Sequence, residues 1–133
     1  MKKRAVTSFI LNGGKILLLK RSDRVGSFRR HWHGVSGFIE GNEKPLKRAY
    51  MEIFQETGIT RDKLSLLNAG KPLAIEEDNA SLTIHPFLFS SSTKTVRLNW
   101  ENTDCRWVYP SRIRRYRTVP KLKKALEYAE KQG

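Results

Sequence analysis

The sequence predicts an α/β fold, a mixed β-sheet covered by helices on both sides. Three observations carry that expectation. Two strand-like runs, Ala5 to Leu11 and Lys15 to Lys20, flank Asn12-Gly13-Gly14, a hairpin signal. A stretch with apolar residues at 3–4-residue spacing (Leu46, Ala49, Tyr50, Ile53) runs from Pro45 to Gly58. Proline suits a first helical turn and glycine a left-handed C-cap, so both ends of a helix are marked. Leu122, Ala125, Leu126 and Ala129 mark a second amphipathic helix after Val119-Pro120.

The elements follow in chain order. Ile16-Leu17-Leu18-Leu19 is a continuous apolar run, as expected of a strand buried on both faces. Arg21 to His33 is polar and rich in Arg, with Gly26 inside it, a loop long enough to serve function. Trp32 to Ile39 reads as a short strand leading into the helix at Pro45. Beyond that helix, Leu64 to Ile75 reads as a strand interrupted by Gly70 and Pro72, followed by an acidic turn at Glu76-Glu77-Asp78-Asn79. Ser81 to Ser90 is a strand in which Pro86 suggests an edge or a bulge. Ser91 to Thr95 is a polar loop. Trp107-Val108-Tyr109 is a last short strand, and Pro110 starts a helical turn.

The composition bounds the possibilities. A chain of 133 residues with 38% hydrophobic content fits one soluble domain, residues 1–133. No apolar run approaches the ~20 residues of a membrane-spanning helix, so a membrane role is not expected. Cys105 is the only cysteine; an intramolecular disulfide is impossible, which suits a reducing, cytoplasmic location. The net charge is +13, and such a charge attracts polyanions. Nucleic acid, the phosphates of a nucleotide and an anionic surface are the candidate partners, set against a merely solvated basic face. The basic clusters (Lys2 to Arg4, Arg29-Arg30, Arg112 to Arg117, Lys121 to Lys124) are not interleaved along the chain with a base-stacking signature.

Gly37 to Ile59 carries the chemistry. It reads G-F-I-E-G-N-E-K-P-L-K-R-A-Y-M-E-I-F-Q-E-T-G-I. On the helix, Glu52 and Glu56 stand at i and i+4, on one flank of the apolar stripe, with Gln55 beside them. Two carboxylates placed this way repel each other, and a hard divalent cation such as Mg2+ suits such a pair. The structural alternative is that they pair with Arg48 and Lys47. Gly37 can offer its backbone carbonyl where a side chain would obstruct. Glu43 suits the positive end of the helix dipole.

This stretch resembles the Nudix box, G-x5-E-x7-R-E-U-x-E-E-x-G-U, with U a bulky aliphatic residue. Gly37, Glu43, Glu52, Ile53, Glu56, Gly58 and Ile59 match it in register; Met51 replaces its Arg, and Gln55 replaces the first Glu of its Glu-Glu pair. The resemblance implies the α/β/α sandwich of the Nudix fold, often dimeric. It also implies a Mg2+- or Mn2+-dependent hydrolase that cleaves the pyrophosphate linkage of a nucleoside diphosphate derivative. Glu52 and Glu56 would be metal ligands or base, with Glu43 a further catalytic carboxylate. Gly37, Gln55 and Glu101 would complete the metal set; Glu101 lies six residues before Trp107, a spacing the family often shows, and Asp104 is a neighbouring alternative. Without the Arg at position 51, repulsion among the glutamates should be less compensated and their pKa values should rise in the absence of metal. The departures at 51 and 55 leave a second reading, a catalytically weakened Nudix-like domain that binds nucleic acid, nucleotide or protein through its basic surface.

Outside the box, Arg21, Arg29 and Arg30 are candidates for meeting substrate phosphates. His31, His33 and His85 show no metal spacing, and His85 is expected to pack or hydrogen-bond. Trp32, Trp100 and Trp107 are expected in the core, and Cys105 is expected to act as a small hydrophobe.

Overall fold

The computed structural model describes residues 2–77 and 80–131. Its spine is a parallel pair, β1 (Lys2–Asn12) and β7 (Ala80–Ser91), in register from Lys2 opposite Ser81 to Leu11 opposite Ser90. Asn12-Gly13-Gly14 turns β1 back into β2 (Lys15–Arg21), with Leu11 opposite Ile16. β4 (Val35–Phe38) pairs antiparallel with β1 from Ala5 to Ser8. β2 carries β3 (Trp32–His33) and β8 (Asn102–Val108). β5 (Leu64–Ala69) and β6 (Leu73–Glu77) both pair with β7. All belong to one mixed, 8-stranded sheet.

Alternation along the strands divides the core into two layers. Val6 and Ile10 of β1 and Leu17 and Leu19 of β2 pack with Ala49 and Ile53 of α1 (Pro45–Thr57). Phe9, Ile16 and Leu18 point the other way and meet Leu122, Ala125, Leu126 and Ala129 of α2 (Leu122–Glu130). The apolar run of β2 is therefore buried on both faces, and the predicted α/β/α sandwich is the observed one. Each buried Val, Leu, Ile or Phe side chain contributes about 1.5–3 kcal/mol by leaving water.

Several local expectations need correction. Trp32 to Ile39 forms two strands, β3 and β4, that pair with β2 and β1 respectively. The run from Leu64 to Ile75 is interrupted at Gly70 and Pro72 as expected, and its two parts, β5 and β6, pair with different stretches of β7. Pro86 lies in a central strand, neither at an edge nor at a bulge. Its carbonyl accepts from the Gly70 amide at 2.9 Å, so its nitrogen faces the gap where β5 gives way to β6 and no ladder bond is lost. β8 begins at Asn102, well before Trp107; its polar first half has no apolar alternation to announce it. Trp100 is 55% exposed, because it sits in the turn ahead of β8 where no layer covers it, whereas Trp32 is buried as expected. Asp78 and Asn79 of the expected acidic turn lie outside the described residues.

Candidate active site

Helix α1 sets the site. Pro45 opens it, and Gly58 closes it at φ 75°, with its amide donating to the Phe54 carbonyl at 2.9 Å; that left-handed angle suits glycine. Arg48, Glu52 and Glu56 follow at four-residue steps, so they line one face, and all three are buried. β4 runs directly beside this face. A Cβ at Gly37 would collide with the Glu52 carboxyl group, so the absence of a side chain there is what lets backbone and carboxylate meet.

Arg48 is the cation that binds Glu43 and Glu52. Its Nη1 donates to Glu52 Oε2 at 2.9 Å. Its Nε and Nη2 clasp the Glu43 carboxylate at 2.7–3.0 Å. Glu40 stands 3.7 Å away. The Glu43 carboxylate also accepts the Glu40 amide at 2.7 Å, so the loop is braced on itself while Arg48 ties it to the helix. The Arg48 hydrogen bonds hold the Glu43 carboxyl below its usual range. Glu52 is raised, because burial outweighs Arg48.

Glu56 has a different environment. It is fully buried, and its Oε1 accepts from Asn102 Nδ2 at 3.2 Å. Asn102 Oδ1 in turn accepts from His33 Nε2 at 2.8 Å, a geometry that requires the Nε2–H tautomer. Burial pushes His33 down to about 4, so the ring is neutral near pH 7. Glu56 Oε2 is buried with no hydrogen-bond partner. Burial, then the charges of Glu101 and Glu52, raise the Glu56 carboxyl well above its ordinary value.

The loops bring in two more groups. The Glu101 carbonyl accepts the Ser22 amide at 2.8 Å, and its own amide donates to Asn99 Oδ1 at 3.1 Å. Arg21 is half-buried and feels both Glu56 and Glu101, which partly offset its desolvation. Arg29 and Arg30 serve their own loop: Arg29 Nε bonds the Val25 carbonyl at 3.0 Å, and Arg30 pairs with Asp23 at 2.8 Å. Gln55 is exposed on an adjoining face of α1.

The structure thus gathers Gly37, Glu43, Glu52, Glu56, Glu101 and Arg21. Glu52 does pair with Arg48, the alternative weighed against a metal role, while Glu56 does not. Glu52 and Glu56 rise as the sequence suggested, but for another reason, while Glu43 falls. Burial leads, and Arg48 supplies from one turn earlier the cation that Met51 lacks. Arg48 was legible as i−4 from Glu52. Asn102 and His33 carried no signal, since their partners lie 46 and 69 residues away.

The chain matches the NUDIX domain over residues 1–129. The chain belongs to the NUDIX family. No curated protein matches it. Among solved structures, it is similar to a MutT protein from Methanosarcina mazei Go1, at 22% identity and TM-score 0.77, over 95% of this chain and 91% of that one. A C. elegans Ap4A hydrolase binary complex shares 18% identity at TM-score 0.74, over 96% and 93% of the two chains. The E. coli dihydroneopterin triphosphate pyrophosphohydrolase shares 16% identity at TM-score 0.75, over 95% and 92%. Family, fold class and Nudix-type pyrophosphohydrolase class are as the sequence led one to expect.

Nudix hydrolases generally use divalent metal ions, and the residues of this Nudix domain fit one. The donors are all oxygens, Glu56 Oε2 is buried and unpartnered, and Gly37 leaves Glu52 room against the backbone. Among the described residues, no three His, Cys, Asp or Glu side chains form a ready-made cage. An open set of this kind suits a hard cation that keeps waters and completes its shell with substrate phosphate.

Proposed function

We propose that this chain is a Mg2+-dependent Nudix hydrolase that cleaves the pyrophosphate linkage of a nucleoside diphosphate derivative by water attack on phosphorus, with Mn2+ able to substitute. The observation that carries this reading is Glu56 Oε2, a buried carboxylate oxygen without a partner, beside the charges of Glu52 and Glu101. A cation, when bound, would neutralise phosphate oxygens and activate a water.

The chain's residues divide the remaining work. Glu52, Glu56 and Glu101, with the Gly37 carbonyl, hold the cation. Asn102 caps Glu56 Oε1 and leaves Oε2 to face the site. Arg48 holds Glu43 and Glu52 apart, and Glu43 orients water from the head of the helix. Arg21, which feels Glu56 and Glu101, meets a phosphate oxygen; Arg29 and Arg30, though held within their own loop by Val25 and Asp23, would extend that positive rim. Gln55 serves as an outer, uncharged oxygen ligand and binds more weakly than a carboxylate. A nucleotide-type substrate suits the family, two of whose similar structures are named for Ap4A and dihydroneopterin triphosphate. Among the described residues no helix is long and apolar enough to cross a membrane, and we place the enzyme in the cytoplasm on its single, free cysteine.

The test is phosphate release from nucleoside triphosphates, nucleotide sugars, ADP-ribose and dinucleoside polyphosphates, with and without Mg2+ or Mn2+. Glu56→Gln should lower metal-dependent turnover by roughly 10²- to 10⁴-fold, the range for a positioned acid–base group, with an unchanged circular-dichroism spectrum. Equal turnover in that variant would exclude the site.

A further inference from the structure

The basic residues that are scattered in the sequence converge, with aromatic rings, at a second place. A cavity of about 510 Å³ lies at the far end of the β2–β8 ladder, lined by Lys15, Trp107, Tyr109, Arg112, Arg115 and Tyr116. Lys15 starts β2, Trp107 is near the end of β8, and the arginines come from the 3₁₀ turn Pro110–Arg115. Arg21 and Asn102, at the active site, close the opposite end of the same ladder. Six residue steps of strand separate Lys15 from Arg21, about 20 Å.

The chemistry of this cavity is specific. Its lining holds three cations, three aromatic rings and no carboxylate. Among the described residues, neither Lys15, Arg112 nor Arg115 forms a salt bridge. The neighbouring cavity between the 3₁₀ turn and α2 differs, since Glu127 and Glu130 line it beside Arg114 and Lys123. Tyr109 is 51% exposed, and the Lys15 ammonium sits 5.0 Å from its ring centroid. Trp107 is fixed by a bond from Nε1 to the Lys94 carbonyl at 3.3 Å. Tyr116 is fixed edge-on against Trp32, with centroids 5.2 Å apart. Trp107 and Tyr116 are therefore held in place before any ligand arrives, and Tyr109 keeps half its surface free.

Positive charge alone would attract any polyanion. Charge interleaved with an accessible ring selects polyanions that carry stackable faces, and in a duplex those faces are already stacked on one another. We propose that this cavity binds single-stranded nucleic acid, with Tyr109 stacking a base and Lys15, Arg112 and Arg115 meeting successive phosphates. The site is independent of the hydrolase reading.

Fluorescence anisotropy of a labelled single-stranded RNA dodecamer tests it, with the same sequence as a duplex for comparison. The single strand should bind more tightly than the duplex. Its log affinity should fall with log salt at a slope of about −2, from three phosphate contacts at roughly 0.7 each. Tyr109→Leu, which keeps an apolar side chain, should weaken binding roughly 5- to 100-fold. Arg112→Ser with Arg115→Ser should flatten the salt dependence, and Glu56→Gln should leave binding unchanged. Several results would overturn the site: no binding at low salt, equal affinity for duplex and single strand, or full affinity in both the Tyr109 and the arginine variants. Loss of binding in Glu56→Gln alone would place the nucleic acid at the acidic site instead.

Discussion

At the scale of single residues, Arg48 decides how the acidic cluster survives folding. It is the one cation hydrogen-bonded to Glu43 and Glu52 among the described residues. Removing one partner of a buried ionic network leaves an uncompensated charge, at a cost of roughly 3 kcal/mol. Arg48→Met should therefore lower the unfolding free energy by about that much, measured by denaturant titration in the absence of metal. Met51→Arg in that background should restore only part of the loss, because position 51 lies off the Arg48–Glu52–Glu56 line. Full restoration would show that either position can carry the cation. Gln55 poses the complementary question. It is exposed, so Gln55→Glu adds charge at no burial cost; calorimetry should find tighter Mg2+ binding, and turnover should rise. Unchanged Mg2+ affinity would remove Gln55 from the ligand set.

At the scale of elements, α1, β3 and β8 are joined through the buried series Glu56, Asn102, His33. His33 gives this joint a pH dependence. Its folded pKa, about 4, lies below the ordinary 6.5. Between those values the unfolded chain takes a proton that the folded chain refuses, so this contribution to stability is intact above pH 6.5 and is lost as pH falls toward 4. The full loss is roughly 3 kcal/mol, from 2.5 pKa units at 1.36 kcal/mol each. His33→Gln still offers an amide donor to Asn102 and cannot titrate. Urea melts from pH 7 to pH 4 should show wild type losing stability relative to His33→Gln across that window. Parallel profiles would mean that His33 is protonated in the fold.

At the scale of the whole molecule, the sequence exposed the parts whose signals are periodic or local. Ile16 to Leu19 announced a strand buried on both sides, and Pro45 and Gly58 announced the ends of α1. It concealed whatever depends on distant pairing. The β1–β7 spine joins Lys2 to Ser81, Asn102 reaches Glu56 across 46 residues, and Lys15 meets Tyr109 only because β2 and β8 are neighbours. No window of the chain contains these pairs, so no periodicity reports them. On the proposed reading, the same long-range closure would make a cation a stabiliser of the entire fold, since Gly37 comes from β4, Glu56 from α1 and Glu101 from the turn ahead of β8. Glu56 has a folded pKa raised by burial and by its like-charged neighbours. Its contribution to stability is present below its unfolded pKa and is lost as pH rises through the raised value. A cation that takes the proton's place should therefore stabilise the fold more as pH rises through that range, by about 2.7 kcal/mol when present at 100 times its dissociation constant. Thermal melts with Mg2+ and with EDTA should diverge increasingly from mildly acidic to mildly alkaline pH in wild type, while Glu56→Gln should show a small, pH-independent gap. Equal gaps in both proteins would place the cation away from Glu56.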